Sequence, residues 1–159
     1  MKIKNNFLPV KEFNDLKKLV FSNEFGWFYR QHQVEEYKDQ PYLCHSVISH
    51  GIVNSPFYES HFKCLLRELN ANICSEIRVN LMVRDIERYK SAYHKDRPYE
   101  CKTAIFYINS NDGYTQFKKT NKKVLSEENK ILIFNSQEQH RAVSPINIFA
   151  RCVVNINYV

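Results

Sequence analysis

Between Ile77 and Arg84 the residues change character at every step: Ile77, Val79, Leu81 and Val83 alternate with Arg78, Asn80, Met82 and Arg84. A period of two is the signature of a strand with one face against a core, because successive side chains leave a strand on opposite sides. From this point onward the chain reads as β. Lys102 to Asn109 is a β-branched and aromatic run that ends at Asn111-Asp112-Gly113, a hairpin-type turn signal, after which Tyr114 to Phe117 resumes as strand. Two more strands are predicted, Lys130 to Phe134 and Arg151 to Tyr158. In the last, Arg151, Val153, Asn155 and Asn157 share one face and Cys152, Val154, Ile156 and Tyr158 the other.

The preceding part is different. From Lys11 to Phe21, Phe13, Leu16, Leu19 and Val20 recur at helical spacing, and a second helix is marked by Ser55-Pro56 at its start and Phe62, Leu65, Leu66 and Leu69 on one face. Between them, Phe25 to Tyr29 reads as a short aromatic strand. Helices first and strands afterwards predict an α+β arrangement, the strands folded into a sandwich or barrel with the helices bracing one outer face.

The 159 residues, 43% of them hydrophobic and 14% aromatic, suffice for one core, so a single domain over 1–159 is expected and disorder is excluded. No apolar stretch is long enough to span a bilayer, and the first residues lack a signal peptide's apolar run, which predicts a cytoplasmic protein without membrane contact. The five cysteines, Cys44, Cys64, Cys74, Cys101 and Cys152, are odd in number and form no C-x-x-C pair; they read as reduced, mostly buried thiols. The net charge of +6 suits an anionic partner without choosing among nucleic acid, acidic protein and small dicarboxylate. The densest basic run, Lys118, Lys119, Lys122 and Lys123, reads as a solvated loop.

Three places carry candidate chemistry. In Tyr93-His94-Lys95-Asp96, extended backbone would point an imidazole and a carboxylate the same way, so that one metal could take both. His140 ends a polar segment after the strand Ile131 to Phe134, where it could line a cavity or lie in a surface loop. Arg151 opens the last strand, either in water or in a cavity awaiting a carboxylate. His and Asp ligands serve zinc hydrolases as well as iron enzymes. His32, His45, His50 and His61 read as ordinary surface or core residues.

In this order and spacing these residues resemble the iron(II)- and 2-oxoglutarate-dependent oxygenases, specifically the small prolyl 4-hydroxylase-like branch. That pattern is H-x-D before a strand, a distal histidine after a later strand, and an Arg or Lys beyond it. Lys102 to Asn109 looks like the strand after H-x-D, and Asp112-Gly113-Tyr114-Thr115-Gln116-Phe117 looks like the family's glycine turn before a Thr and an aromatic. Tyr114 stands where many members carry a second glycine, and the likeness covers roughly the C-terminal half.

The resemblance implies a double-stranded β-helix, a cupin-like jelly-roll, with supporting N-terminal helices. It implies iron(II) held by His94, Asp96 and His140, and 2-oxoglutarate held by Arg151, Tyr107 and Asn80, with no catalytic residue beyond the metal ligands. Two imidazoles and one carboxylate leave adjacent metal positions open for 2-oxoglutarate and dioxygen. The implied reaction hydroxylates a substrate C–H bond, of a peptidyl proline or another protein side chain, and releases succinate and carbon dioxide, with ascorbate as an accessory. The alternatives are oxidative demethylation or hydroxylation of nucleic-acid bases, for which no stacking stripe of aromatic and basic residues is visible, and a non-catalytic jelly-roll binding protein.

Overall fold

The computed structural model describes residues 1–32 and 41–159. Its eleven described strands are β1 (Lys2–Lys4), β2 (Phe28–Arg30), β3 (Tyr42–Ser49), β4 (Ile52–Val53), β5 (Cys74–Val83), β6 (Lys102–Tyr107), β7 (Tyr114–Phe117), β8 (Lys123–Leu125), β9 (Lys130–Asn135), β10 (His140–Val143) and β11 (Ala150–Tyr158). Two helices join them, α1 (Val10–Val20) and α2 (Lys63–Leu69), the second entered through a π-helical turn at Tyr58–Phe62. The large sheet runs β1-β9-β6-β11-β5-β3-β2, with β4 on β3, and the small one runs β10-β7-β8. Together they form the jelly-roll, and its helices brace one side.

The alternation read from the sequence sorts the two sides of the large sheet. Ile77, Val79, Phe106, Ile131, Val154 and Ile156 face outward under α1 and α2, where Phe13, Leu16, Leu19 and Leu65 meet them. Phe106 is wedged between Phe7 and Phe13, with ring centroids 5.9 and 6.1 Å away. Ile105, Tyr107, Leu132, Phe134 and Val153 face inward and pack with Phe117 and Val124 of the small sheet. With no space beneath the helices for relaxation, Ile156→Val is expected to cost about 1 kcal/mol, lowering Tm by roughly 2–4 °C in a chain of this size. A thermal melt checks it; an unchanged Tm would mean that this side of the sheet is loosely covered.

Three expectations need correction. The turn at Asn111-Asp112-Gly113 does not close a hairpin: β6 lies between β9 and β11, while β7 lies between β10 and β8, so the turn carries the chain from one sheet to the other. Gly113 is required there by crowding, since a Cβ would stand 2.8 Å from Arg151 Cδ and 2.9 Å from the Val143 carbonyl oxygen. The aromatic strand begins at Phe28 rather than Phe25; Phe25 turns into the core and stacks on His45 at 4.2 Å. Strands are not confined to the second half either, since β1 pairs with β9 and β3 lies between β2 and β5.

The cysteines are all free, two buried (Cys44 and Cys152) and three half-buried. Burial pushes the Cys64 and Cys74 thiols up to about 11, which makes them unreactive at neutral pH. His45 is a core residue, its ring nitrogens satisfied by the Gly26 carbonyl at 2.7 Å and Ser55 Oγ at 2.9 Å. Lys118, Lys119, Lys122 and Lys123 are exposed around the β7–β8 connection. No helix among the described residues is long and apolar enough to cross a membrane.

Candidate metal centre

His94 and His140 are brought together by backbone pairing. Each donates its N–H to the other's carbonyl at 3.0 Å, an isolated antiparallel bridge that sets the two imidazoles side by side with centroids 4.7 Å apart. The same stretch of backbone continues to Asp96, whose N–H donates to the Ser136 carbonyl at 3.2 Å. Asp96 Oδ1 then lies 3.7 Å from His94 Nε2, and Asp96 Oδ2 lies 3.7 Å from His140 Nε2. One ligand atom from each of the three residues falls within 4.8 Å of the others.

The tautomers follow from the partners. His94 Nδ1 is 3.1 Å from the Ala92 carbonyl and His140 Nδ1 is 3.0 Å from the Glu138 carbonyl. A carbonyl can only accept, so both Nδ1 atoms carry the proton and both Nε2 lone pairs point toward Asp96, as metal-binding imidazoles require. Phe134 locks the His140 ring edge-on at 4.8 Å.

Asp96 is held from behind. Asn155 Nδ2 donates to its Oδ1 at 3.3 Å and Thr103 supplies a second hydrogen bond. The Thr103 hydroxyl in turn accepts from Asn157 Nδ2 at 3.0 Å, and Asn157 Oδ1 accepts from Arg97 Nε at 2.8 Å. Burial alone would push the Asp96 carboxyl up, but the charge that the His140 and His94 rings carry when protonated, with those two hydrogen bonds, holds it below the usual carboxylate range in the metal-free protein. Its Oδ2 is buried and has no hydrogen-bond partner among the described residues. Such an atom is costly unless something absent from the polypeptide completes it. Two neutral imidazoles and one anionic oxygen suit a divalent transition metal with open positions.

The cavity beside these three residues lies between the sheets. Asn80 and Met82 of β5, Ile105 of β6, and Val153 and Asn155 of β11 form one wall; Thr115 and Ala142 of the small sheet form the other. Arg151 reaches in from its base, 3% exposed. Its Nε donates to Ser126 Oγ at 2.8 Å and its Nη2 to Thr115 Oγ1 at 3.0 Å, and no carboxylate pairs with it among the described residues. Burial pulls its pKa down, the mark of a cation without a counter-charge.

Tyr107 is fully buried beneath this arginine and does not line the cavity. Its hydroxyl donates to Thr115 Oγ1 at 3.0 Å, and the Arg151 guanidinium sits 5.6 Å from its ring centroid. Asn80 does line the cavity, with a buried Oδ1 that has no partner among the described residues.

The structure thus brings together His94, Asp96, His140, Arg151 and Asn80, and sets Tyr107 one layer behind. It adds Thr115 and Ser126, which orient Arg151, and Thr103, Asn155 and Asn157, which orient Asp96. The last two were visible in advance only as the polar face of the final strand. Thr103→Val, which removes the hydroxyl behind Asp96 at nearly constant volume, is expected to weaken metal binding by about tenfold or more, read by competition with a chelating dye. An unchanged affinity would show that Asn155 alone positions the carboxylate.

No family model matches the sequence, and no curated protein matches it. Solved structures do match in shape. A prolyl hydroxylase from Trichoplax adhaerens, in complex with a hypoxia inducible factor oxygen degradation domain peptide fragment, superposes with TM-score 0.71 at 13% identity, over 99% of this chain and 82% of that one. An oxidoreductase of the 2OG-Fe(II) oxygenase family from Burkholderia pseudomallei gives 0.71 at 9% identity, over 97% and 81%. A Pseudomonas putida prolyl-4-hydroxylase gives 0.64 at 14% identity, over 99% and 90%. The chain has the fold of these oxygenases, a small prolyl hydroxylase-like double-stranded β-helix.

Proposed function

We propose that residues 1–159 form one iron(II)- and 2-oxoglutarate-dependent dioxygenase domain that hydroxylates a C–H bond of its substrate. The observation that carries this reading is the meeting, in one cavity, of a two-histidine, one-carboxylate set and a buried arginine without a counter-charge. A zinc hydrolase has use for the first and none for the second.

His94, Asp96 and His140 would hold the iron. Arg151 would receive the distal carboxylate of 2-oxoglutarate, with Tyr107 acting through Thr115 and Asn80 reaching the cosubstrate from the opposite wall. The bound iron, with 2-oxoglutarate and dioxygen, supplies the oxidising chemistry, whose products are succinate, carbon dioxide and the hydroxylated substrate. The polypeptide's share is to turn both Nε2 atoms toward Asp96, to hold Asp96 ionised, to neutralise the incoming dicarboxylate and to exclude water with Met82, Ile105 and Val153.

A peptidyl proline or another protein side chain is the favoured substrate, on the ground that two of the three structural relatives are prolyl hydroxylases. A nucleic-acid base remains the second choice, and a cytoplasmic location suits either.

Succinate release from 2-oxoglutarate with iron(II) and ascorbate, with and without candidate peptides, tests the reading; no iron-dependent release under either condition would sink it. A simpler check precedes catalysis. A divalent metal at 100 times its Kd should stabilise the fold by about 2.7 kcal/mol, raising Tm by roughly 5–10 °C, and a chelator should reverse the shift.

A further inference from the structure

All four buried side-chain polar atoms that lack a hydrogen-bond partner among the described residues lie in one place: Asp96 Oδ2, Asn80 Oδ1, Asn155 Oδ1 and Arg78 Nε. The first three are acceptors, Asn80 and Asn155 lining the cavity and Asp96 standing with the two histidines, so a metal, its waters and the cosubstrate would complete them. Arg78 is not. It is a donor, and iron offers nothing to a donor.

Arg78 stands on β5, on the same face as Asn80 and directly opposite Asn155 of β11. Residues paired in this way have Cβ atoms about 4.5–5.5 Å apart, and the Asn155 amide already touches the metal ligand Asp96. The Arg78 guanidinium lies close enough to Asp96 and to Tyr42 to act on both, and Tyr42 lines the cavity. The side chain is 34% exposed while its Nε is enclosed.

Its nearest acid does not balance it. Glu76 Oε1 is 3.3 Å from Arg78 Nε without hydrogen-bond geometry, and the other Glu76 oxygen is taken by Arg97 Nη2. Among the described residues two guanidinium groups share the Glu76 carboxylate, Arg97 taking one oxygen and Arg78 facing the other. Tyr42 adds a hydroxyl: burial pushes its phenol up, so it stays a neutral donor. The cosubstrate is provided for by Arg151 at the opposite end, so this second cation is available to the other reactant.

We propose that Arg78, with Tyr42 beside it, is a substrate-binding residue, and that the substrate carries a carboxylate close to the carbon that is hydroxylated. This rests on the reading of the site as an iron and 2-oxoglutarate oxygenase. Guanidinium and carboxylate match as two parallel charge-assisted hydrogen bonds, which a neutral amide cannot reproduce. A free acid and a peptide with an acidic side chain or terminal carboxylate at the reacting residue both meet the requirement.

The test uses the full chain with iron(II), 2-oxoglutarate and a panel of N-acetyl amino acids and short peptides, each supplied as the free acid and as the carboxamide. The stimulation of succinate release is measured for each pair. In the wild type, acids that stimulate should do so at concentrations at least about tenfold lower than their amides. In Arg78→Gln that ratio should fall to about one, and in Arg78→Lys it should be partly kept. Equal response to acids and amides in the wild type, no response to any acid, or a preference that survives in Arg78→Gln would each overturn the assignment. A wild type with no iron-dependent succinate release at all would instead overturn the oxygenase reading, so the two failures are distinct.

Discussion

Arg151→Met is expected to move cosubstrate binding and ligand-free stability in opposite directions. The guanidinium is buried, bonded to the Ser126, Thr115 and Tyr107 hydroxyls and without a carboxylate partner among the described residues. Before 2-oxoglutarate arrives it is a desolvated charge, which a thioether of similar length replaces with a gain of about 1 kcal/mol in folding stability. Once 2-oxoglutarate arrives, the same substitution would leave a dicarboxylate with one end unpaired in the cavity between the sheets. Losing one partner of a buried, hydrogen-bonded charge pair costs about 2–5 kcal/mol, so the Kd for 2-oxoglutarate should rise by roughly 30- to 4,000-fold at 1.4 kcal/mol per decade. Isothermal titration of the metal-loaded protein reads the second quantity and urea unfolding of the metal-free protein reads the first. A less stable variant with unaltered 2-oxoglutarate affinity would make Arg151 a structural residue and move the cosubstrate elsewhere.

Asp96→Ala is expected to lower iron-dependent turnover by more than about 100-fold, beyond the losses caused by changes at residues that only hydrogen-bond a ligand. Among the described residues its carboxylate is the only anion beside the two imidazoles, so the remaining pair would have neither the charge nor the third donor to keep iron in place. The metal-free fold should respond with a distinct pH signature. Because the Asp96 pKa is depressed in the folded protein, its ionised form stabilises the fold above the ordinary carboxylate pKa, and that contribution is lost as pH falls through the folded value. The wild type should therefore lose more stability than Asp96→Ala as pH is lowered through the acid range. Melts across that range check the sign, and parallel curves would show that Asp96 contributes nothing without metal.

Much of this site was legible in the order of a few residues. His94-Lys95-Asp96, His140 and Arg151 carry their chemistry in their side chains, and the alternating strands on either side indicate which way those side chains point. The strands β5 and β11 were readable from their alternation, and β6 and β9 from continuous β-branched and aromatic runs. β3 was not, because a bulge between Ser46 and Ile48 breaks its alternation and both faces are partly buried. β8 and β10 are three and four residues long, too short for a pattern to register.

The Asn111-Asp112-Gly113 turn misled for a different reason. Its composition is that of a hairpin, but Arg88 and the Ile146 backbone N–H draw Asp112 away, and what selects glycine is the proximity of Arg151. Ser126 and Arg78 carry no local signal of their roles, and Thr115 was visible only as the Thr after the glycine turn. Their roles exist only once distant strands meet.

The position of β11 bears on how the protein reaches this state. It follows every other strand in sequence yet lies at the centre of the large sheet, between β5 and β6. Until it docks, β3 with β5 and β6 with β9 can form only two separate ribbons, each exposing an unpaired edge. Pairings across such sequence separations are slow to nucleate, and open edges invite association between chains. Arg151 arrives on that same strand, so the fully formed cavity emerges at the closing step of folding. Growth at low temperature and slow synthesis, which lengthen the time available for β11 to insert, should raise the yield of active protein more than added metal does.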